Sequence, residues 1–496
     1  MTKAEEIEKI AKRRGFFWQS SEIYGGLSGF YDYAHLGTAI KKRWENIWRK
    51  FFLNLDDNFF EIEPTLIMPE NVFKASGHVD SFVDPVVKCR KCSNIERADQ
   101  ILEEELKEKF EGLKPDELLD IIKKHKIKCQ KCGGQFEEIG ILNMMFPLTI
   151  GNDVKAYLRP ETAQGAYVNF NREFDCLRKK LPLGLAIIGK AFRNEISPRN
   201  LLIRMREFTQ AELQIFFDPD KINEHEKFDD VADYKLIILP AEKEKTKITE
   251  MKCSEAVSKL KLPRFYVYYM AKAQQFFLDV LKLSKDKFRL RELSDEERAF
   301  YNKFHWDIEL FLNDWKEIGG IHYRTDHDLA GHQKISKQEL SVFVDDKKVL
   351  PHVLELSFGV DRNVYSLFEL CFKEEKERTI FTFPRMLAPY DCAVLPLVNK
   401  EGMDNRAMKL KSMLADAGFD VFYDDSGSVG RRYRRMDEIG VSCCITIDGQ
   451  TMQDSTVTMR DRDSMKQIRI SIDDLSGALH KFLNGEDIEK IGNVVK

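Results

Sequence analysis

The sequence predicts an α+β protein of several domains, and two observations support this prediction. The chain has 496 residues, which is too long for one ordinary hydrophobic core. Apolar strand-like runs and charged helical stretches follow one another in blocks up to residue 385. Residues 391–496 instead alternate strand and helix in the regular manner of an α/β unit, and Pro384 and Pro389 mark the linker before it.

Changes in composition divide the chain further. Lys/Glu-rich stretches interrupt the strand-like blocks and are interpreted as insertions. The predicted parts are core segments 1–85, 141–218 and 291–386, insertions 86–140 and 219–290, and a C-terminal α/β domain 390–496.

The bulk composition restricts the class of protein. With 43% hydrophobic and 32% charged residues, the chain is predicted to be globular rather than disordered. The net charge of -4 requires any nucleic-acid binding to use local basic patches. No apolar run reaches the roughly 18 residues that span a bilayer, and the charged residues 1–14 lack a signal-peptide core. We therefore expect a cytoplasmic protein without membrane contact, with its cysteines reduced.

The first core segment contains a helical lead, a Gly-rich turn region and an amphipathic stretch over residues 36–55. Residues 59–67 then alternate like a strand and include Pro64. Because proline cannot donate a hydrogen bond to a sheet, this run is predicted to be an edge strand or a strand end.

Two CxxC pairs, Cys89/Cys92 and Cys129/Cys132, occur in the first insertion. Each pair can present two thiolates from a tight turn, and two pairs complete a tetrahedral zinc site. The separation, residues 93–128, is longer than usual and predicts a helical excursion within the ribbon. Four cysteines leave no open position, so this zinc would be structural; redox motifs or free thiols are the alternative.

A polar loop between two apolar runs predicts a β-hairpin around residues 184–217. Arg193 and Glu195 are two apart and share one face if they lie on a strand. A guanidinium can bind phosphate or carboxylate, and an acid can accept the adenine amino hydrogen, although a surface ion pair has the same pattern. Phe208, which can stack on adenine, and Glu212, which can meet an ammonium group, favour a nucleotide site.

A phosphate-binding P-loop is rejected for residues 184–190. Ala191 stands where serine or threonine should ligate magnesium, and the preceding residues are apolar and strand-like.

Two further segments combine an acid with a glycine. Glu161 follows a strand, where it either faces a ligand or complements a helix dipole. Glu355 begins a strand that passes through Gly359 into a helix start, and Gly359 permits a close backbone approach to a ligand. Arg362 then lies where a helix N-terminus already favours anions. An ordinary strand-to-helix turn is the alternative for this second segment.

The C-terminal domain carries a cluster of arginines around one aromatic residue, a combination that suits phosphate contacts and base stacking. A solvated helix face is the alternative. The cluster consists of Arg431, Arg432, Tyr433, Arg434 and Arg435.

Taken together, these residues resemble a class II aminoacyl-tRNA synthetase, and within that class the glycyl-tRNA synthetases of the homodimeric kind. The resemblance covers nearly the whole chain. The strand with Pro64 resembles the first class signature, a dimer-interface element, while residues 192–212 and 359–362 resemble the second and third. The longer runs that match the glycyl type are residues 20–26, 74–80, 159–165, 192–199 and 206–212.

The resemblance implies an antiparallel catalytic sheet flanked by helices and a C-terminal anticodon-binding domain. The insertion 219–290 becomes a candidate for contacting the tRNA acceptor end. The implied reaction joins glycine to tRNA(Gly) through glycyl-adenylate, consumes ATP and releases AMP and diphosphate, in cytoplasmic translation. Mg²⁺ accompanies ATP, and a second copy of the chain completes a homodimer. Because two anions must meet, fixed arginines are expected to stabilise the developing charge.

By resemblance, Arg193 bridges the glycine carboxylate and the α-phosphate. Glu195 reads the adenine amino group, and Phe208 stacks under the ring. Arg204 and Arg362 hold the β- and γ-phosphates. Arg193 and Arg362 are the implied catalytic residues.

The resemblance also assigns the metal and amino-acid contacts. Glu355 ligates Mg²⁺, whereas Glu161, Glu212 and Ser357 surround the glycine ammonium and Arg193 binds the carboxylate. Such a pocket excludes larger amino acids sterically, and glycine has no smaller competitor, so no editing domain is expected. The C-terminal arginines become the implied tRNA contacts.

The sequence departs from the family pattern at Leu356, where proline is usual, and just upstream of Arg324, whose role stays open. Two alternative functions differ in whether the ATP-binding residues are kept. An accessory nucleic-acid-binding relative should have lost the ATP residues, which this chain retains. A class II synthetase for histidine, proline or threonine would keep them.

Overall fold

The structure is a computed structural model that describes residues 2–106, 110, 113–196, 198, 201–241, 247–298, 302–400 and 402–495. Ser197 and Arg199 of the family-like run 192–199 lie outside these residues. Within the described ranges, no helix combines the length and hydropathy needed to cross a membrane.

The helices, in chain order, are α1 (Lys3–Arg14), α2 (His35–Phe52), α3 (Glu70–Ala75), α4 (His78–Ser81), α5 (Ala98–Leu106), α6 (Pro115–Lys124), α7 (Ala163–Cys176), α8 (Cys253–Lys259), α9 (Arg264–Gln275), α10 (His327–Ser336), α11 (Val360–Cys371), α12 (Met403–Asp416), α13 (Val429–Ile439), α14 (Thr451–Asp454), α15 (Leu475–Leu483) and α16 (Ile488–Ile491).

The strands up to the end of the core are β1 (Phe17–Gln19), β2 (Tyr31–Tyr33), β3 (Phe59–Glu61), β4 (Ile67–Pro69), β5 (Val83–Cys89), β6 (Ile95–Arg97), β7 (Phe136–Asn143), β8 (Phe146–Ile150), β9 (Val154–Leu158), β10 (Leu183–Phe192), β11 (Glu207–Phe217), β12 (Lys235–Leu239), β13 (Thr249–Lys252), β14 (Phe288–Glu292), β15 (Phe304–Phe311), β16 (Trp315–Thr325), β17 (Val342–Val344), β18 (Lys347–Val349) and β19 (His352–Gly359). The later strands are β20 (Phe372–Glu374), β21 (Thr379–Phe381), β22 (Cys392–Pro396), β23 (Val421–Tyr423), β24 (Cys443–Ile447), β25 (Thr456–Asp461), β26 (Gln467–Ser471) and β27 (Asn493–Val494).

Two compact units make up the chain. The core unit comprises Ser21–Phe30 and Ile47–Asn363, and the terminal unit comprises Met1–Ser20, Tyr31–Asn46 and Val364–Lys496. The six-part division inferred from composition stays a prediction.

A nine-stranded sheet forms the centre of the core unit, in the order β13-β12-β14-β15-β16-β19-β11-β10-β3. All neighbours are antiparallel except β12/β14 and β10/β3. The predicted α+β class with an antiparallel catalytic sheet is therefore confirmed. The segment 219–290, predicted as an insertion, supplies β12 and β13 to one edge of this sheet, because the apolar run 236–238 is buried despite its charged surroundings.

The strand before Pro64 lies at the edge of the sheet, as predicted. The prediction of one continuous strand over residues 59–67 is wrong. β3 ends at Glu61 and pairs only with β10 within the central sheet. β4 is a separate strand that joins another sheet with β9. Pro64 separates the two strands and lies against Gly165, where a Cβ would stand 2.6 Å from the proline Cγ.

The predicted hairpin is present as β10 and β11, paired from Leu183↔Phe216 to Phe192↔Glu207. Arg193 and Glu195 lie beyond the end of β10, so the prediction that they share a strand face is wrong. The Glu195 N–H donates to the Arg193 carbonyl at 2.7 Å, which turns the backbone tightly.

The first insertion is a small ribbon with its own core. β5 pairs with β6 and β7, and α5 and α6 pack against it as the predicted helical excursion. Buried apolar side chains and the first cysteine of each pair form the interior, namely Val87, Cys89, Ala98, Ile101, Leu102, Phe110, Leu118, Ile122, Cys129 and Phe136.

The terminal unit contains a six-stranded sheet in the order β23-β22-β24-β25-β26-β27. The first three strands are parallel and the others antiparallel, with α12, α13 and α15 between them in sequence. The predicted C-terminal α/β domain is therefore present. Arg43 of α2 pairs with Asp391 at 2.8 Å and Asp420 at 2.5 Å, so an N-terminal segment is part of the same unit.

Candidate active site

A cavity of about 230 Å³ lies over neighbouring strands β11, β16 and β19 of the core sheet. The structure brings together every residue assigned above to ATP, glycine or magnesium. These lining residues are Glu161, Arg193, Glu195, Arg204, Phe208, Glu212, Glu355, Ser357 and Arg362.

Strand register explains why residues distant in sequence converge here. Glu212 is paired with Ser357, and Gln214 with Glu355, between β11 and β19. On the other side of β19, His322 of β16 is paired with Glu355. Because directly opposite residues project to the same face of a sheet, three strands supply one polar floor.

Glu212 is buried in that floor. Its carboxylate accepts hydrogen bonds from Thr162 Oγ1 at 2.5 Å and Ser357 Oγ at 2.9 Å. Burial and the nearby charge of Glu161 raise the pKa of Glu212, against the lowering effect of the two hydroxyls. The group is thus held in one orientation at the bottom of the cavity.

Glu161 lies beside Glu212 but has more positive surroundings. Its carboxylate oxygens are 3.6 Å from Arg324 Nη2 and 3.5 Å from His78 Nε2, and one accepts from Gln164 Nε2 at 2.8 Å. Burial alone would raise the pKa of Glu161, but Arg324 and His78 hold it well below its ordinary value. The pKa values of the neighbouring Glu161 and Glu212 are therefore shifted in opposite directions.

Glu355 is the third carboxyl group of the floor. Its Oε2 accepts from Arg324 Nη1 at 3.1 Å and from Gln214 Nε2 at 2.8 Å. Burial raises the pKa of Glu355 to about 8; the Arg324 charge opposes this, and Glu212 and Glu161 add to it. The predicted magnesium ligand is thus part of a buried charge network.

Arg324 is the principal residue whose role the sequence left open. Its guanidinium binds both oxygens of Asp328, at 2.8 and 3.0 Å, and also reaches Glu355 and Glu161. Arg324 lies near the end of β16 and Asp328 in the first turn of α10, so the turn between strand and helix brings the pair together. The arginine forms the positive centre between the pocket carboxylates.

The other part of the cavity is bordered by aromatic rings and arginines. The Arg193 guanidinium lies 5.3 Å from the Phe208 ring centroid and 5.4 Å from that of Phe82. Arg193 Nε also donates to the Pro160 carbonyl at 3.0 Å, which fixes the side chain. Phe82 was not predicted, because a contact between residues so far apart leaves no sequence pattern.

Acids hold the two remaining arginines of the cavity. Arg204 Nε is 4.0 Å from Glu195 Oε2. Arg362 Nε donates to the Ile203 carbonyl at 3.0 Å, and its Nη1 is 3.1 Å from Glu317 Oε2. Glu317 is a further cavity-lining acid that the sequence reasoning missed.

The four predicted zinc ligands form one cluster in the insertion. Their sulfur atoms all lie within 4.8 Å of one another. The two pairs make matching turns: the Ser93 N–H donates to the Cys89 carbonyl at 2.9 Å, and the Gly133 N–H donates to the Cys129 carbonyl at 2.8 Å. A Cβ on Gly134 would stand 2.8 Å from Cys89 Sγ, so the packing requires glycine there. This all-sulfur set fits a tetrahedral zinc ion.

The predicted arginine cluster of the terminal unit lies on α13, but its members have different surroundings. Arg431, Arg434 and Arg435 line a concave surface together with Tyr433. Arg432 is buried instead, and its guanidinium donates to the backbone carbonyls of Asp425 and Gly427, both at 2.6 Å, and to that of Pro396. Arg432 therefore supports the preceding loop and does not reach this surface.

Comparison with known protein families agrees with this architecture. Residues 146–370 match the model of the tRNA synthetase class II core domain (G, H, P, S and T), and residues 391–482 match the anticodon binding domain. A mainly antiparallel sheet with a charged cavity, together with a separate α/β domain of this type, defines a class II aminoacyl-tRNA synthetase.

Individual relatives identify the family within that class. The chain is 39% identical to the glycine–tRNA ligase of Methanococcus vannielii over 95% of this chain and 98% of that protein. It is 40% identical to the glycine–tRNA ligase of Thermococcus gammatolerans over 98% and 99% of the two chains, and 39% identical to that of Pyrococcus furiosus over 97% and 99%. The chain belongs to the glycine–tRNA ligase family.

Proposed function

We propose that this enzyme activates glycine with ATP and transfers it to tRNA(Gly), with Arg193 and Arg362 as its catalytic residues. The observation that carries this proposal is the convergence of the ATP, glycine and magnesium residues on one cavity. The names of the relatives supply the identity of the amino acid.

Two steps account for the reaction. A glycine carboxylate oxygen attacks the α-phosphorus of ATP, and diphosphate leaves with the electrons of the broken P–O bond. A terminal ribose hydroxyl of the tRNA then attacks the acyl carbon, loses its proton, and AMP leaves. Arg193 neutralises the charge that develops at the first reacting centre, and Arg362 holds the departing phosphates.

Specificity for glycine follows from the buried carboxylate floor. Glu161, Glu212 and Ser357 offer acceptors to an ammonium group, and Arg193 binds the carboxylate. Polar atoms that already bond one another at the floor leave little volume for a side chain. Larger amino acids are therefore excluded by size.

Class II synthetases use ATP with Mg²⁺. Glu355 would hold this ion, and Glu317 lines the same cavity as a second carboxylate. The ion neutralises phosphate charge when bound. Glu195 and Phe208 recognise the adenine, and Arg204 binds the phosphates with Arg362.

A structural zinc ion is proposed for Cys89, Cys92, Cys129 and Cys132, where it would fix the two turns of the ribbon. Arg431, Arg434 and Arg435 of α13 contact the tRNA, and Arg432 supports the loop that precedes this helix. The segment 219–290 is proposed as an acceptor-end contact. The enzyme acts in the cytoplasm, where translation uses its product.

The enzyme is proposed to work as a homodimer. The element around Pro64 that resembles the dimer signature presents Leu66 and Ile67 to solvent, with exposed fractions of 39% and 44%. Apolar side chains on such a strand are suited to pairing with a second copy.

Amino-acid-dependent exchange between pyrophosphate and ATP tests the function. Glycine should support exchange in a panel of amino acids, and Arg193→Ala should abolish it while leaving tRNA binding largely intact. Exchange supported by histidine, proline or threonine instead would overturn the choice of substrate. The absence of any exchange would favour an accessory nucleic-acid-binding role.

A further inference from the structure

The side chain of Arg193 is enclosed by rings from two different parts of the core unit. Phe208 belongs to β11, the second strand of the ATP hairpin. Phe82 immediately precedes β5, the first strand of the cysteine insertion. The distances from the guanidinium carbon to the two ring centroids are nearly equal, at 5.3 and 5.4 Å. Both fall within the range in which a cation is attracted to a ring face.

Hydrogen bonds fix the base of the insertion to the loop that carries Arg193. The Asn194 N–H donates to the Met144 carbonyl at 2.7 Å, and the Met144 N–H donates to the Phe82 carbonyl at 3.0 Å. Asn143 Nδ2 also donates to the Val79 carbonyl at 2.8 Å. The point where the insertion leaves the core and the point where it returns are thus both held beside the catalytic arginine.

The same insertion carries the cysteine cluster at its other end. β5 and β7 are paired from Val83↔Asn143 to Cys89↔Phe136. At about 3.3 Å per residue, this two-stranded ribbon separates the cluster from the Arg193 loop by roughly 20 Å. The pairing is regular from Val83 to Lys88 and shifts register only between Lys88 and Cys89, so we expect disorder at the cluster end to loosen the strands that hold Phe82.

Through His78, Phe82 is also linked to Glu161 of the cavity lining. Its ring centroid is 5.3 Å from that of His78, whose Nε2 is 3.5 Å from Glu161. The ring is only partly buried, and it also packs against the small apolar cluster of Met68, Phe73 and Met145, so this packing and the contacts with Arg193 and His78 together fix its position.

We propose that Phe82 is a positioning residue for Arg193, and that the cysteine ribbon keeps Phe82 in place. The ATP site thereby depends on order in the cysteine cluster. This proposal rests on the proposed function, because its consequence is read in the activation of glycine.

Substitutions of Phe82 that remove its aromatic ring but keep apolar volume test whether this residue positions Arg193. Phe82→Leu keeps apolar volume but removes the π face, and we expect the kcat of glycine-dependent pyrophosphate exchange to fall about tenfold, with a smaller change in the KM for glycine. Phe82→Tyr keeps the face and should restore kcat to within about twofold of wild type. A melting temperature within error of wild type in all variants would locate the effect in the site.

The matched control is Phe311→Leu, because Lys287 Nζ lies 4.8 Å from the Phe311 ring centroid and this ring, also partly buried, is in the same unit but outside the cavity. This variant should keep wild-type kcat. If Phe82→Leu also keeps it, or if both Leu variants lose kcat and melting temperature together, Phe82 does not position Arg193. Failure of wild-type protein to exchange with glycine would instead refute the proposed function.

A double-mutant cycle tests the role of the ribbon. In the wild-type background, Cys132→Ser should lower kcat several-fold, and it should lower the ATP affinity measured by calorimetry to a similar extent. In the Phe82→Leu background, the same substitution should lower both quantities by less than half that factor. Equal factors in both backgrounds would refute the coupling. If Cys132→Ser does not fold, wild-type and Phe82→Leu proteins stripped of zinc and returned to magnesium buffer provide the same comparison.

Discussion

At the residue scale, several acids at the cavity floor share one guanidinium. Arg324 contacts Glu161 and Glu355, while Glu212 is bonded only through hydroxyl groups in the contacts described above. Burial and neighbouring carboxylates raise the pKa of Glu212 and Glu355, whereas Arg324 and His78 together lower that of Glu161. Because burial raises the pKa of Glu355 to about 8, we expect this carboxyl group to carry a proton at neutral pH before glycine binds.

Glycine binding should release this proton. The pKa of Glu355 is raised from 4.5 to about 8, so between these values the folded pocket binds more protons than an unfolded chain, and this contribution to stability is lost as the pH rises through 8. An incoming ammonium group favours the deprotonated carboxylate. The glycine dissociation constant should therefore decrease from pH 6 to pH 8, by at most about tenfold per pH unit.

Calorimetry of glycine binding in buffers with different ionisation enthalpies measures this release directly. Glu355→Gln, which cannot titrate, is the control and should give a flatter pH profile. A pH-independent affinity in the wild-type protein, with no proton exchange with the buffer, would contradict the expectation.

The residue scale also shows what the sequence could predict. Short specific runs identified the cavity residues, because their chemistry and order are characteristic. The same reasoning misplaced Arg193 and Glu195 on a strand, since only the structure shows the turn after Phe192. It treated Arg432 as equivalent to its neighbours, although this side chain is buried by contacts with the loop that precedes the helix.

At the element scale, close approach of β16 and β19 shapes the cavity floor. A Cβ on Gly319 would stand 2.5 Å from the Ser357 carbonyl oxygen, a backbone atom that cannot rotate away. Gly140 of β7 offers a contrast, because the nearest atom to its Cβ would be a valine methyl at 3.7 Å. Glycine is therefore required at one strand position and dispensable at the other.

Gly319→Ala should destabilise the core unit by about 1–3 kcal/mol, because the strands must separate to accept the methyl group. It should also raise the KM for glycine, since Ser357 is displaced. Gly140→Ala should change stability by less than about 1 kcal/mol. Chemical denaturation and exchange kinetics of the two variants provide the comparison, and equal destabilisation would contradict it.

The cysteine ribbon gives a second prediction at this scale. Purified protein should contain about one zinc per chain. Cys132→Ser should lose the metal and show faster hydrogen exchange across β5–β7, because little else orders such a small core. Cys176→Ser is the control, since Cys176 is exposed on α7 and outside the cluster, and it should retain full zinc content. Retention of zinc by Cys132→Ser would contradict the ligand set.

Element boundaries were predictable where hydrophobic period and flanking glycine or proline agree, as in the C-terminal α/β domain. The prediction failed for the strands between residues 235 and 252, where charged neighbours mask a short buried run. Pairing with β14 across a long connection decides the identity of β12, and local composition carries no trace of such pairing.

At the scale of the whole molecule, activation and tRNA recognition are expected to respond separately to mutation. The cavity belongs to the core unit and the arginine surface to the terminal unit. Arg431 is exposed, and within the described ranges it has no ion-pair partner, so it is available to a phosphate.

Arg431→Ala should raise the KM for tRNA about three- to tenfold and reduce the salt dependence of tRNA binding by about one ion, while pyrophosphate exchange stays unchanged. Lys409→Ala, on the exposed part of α12 and outside this surface, should leave both activities unchanged. Charging assays across a salt series measure the effect. An equal loss of exchange and charging in Arg431→Ala would contradict this separation.

The make-up of the terminal unit has a consequence for how the protein is synthesised. Residues 1–20 and 31–46 leave the ribosome before most of the core unit, yet they belong with residues 364–496, which leave after it. Arg13 and Arg14 of α1, for example, pair with Glu438. At about 5–20 residues per second, these first segments wait tens of seconds for their partners. During that time, we expect apolar side chains of α1 and α2 that the finished fold buries, such as Ile7, Trp44 and Trp48, to stay exposed.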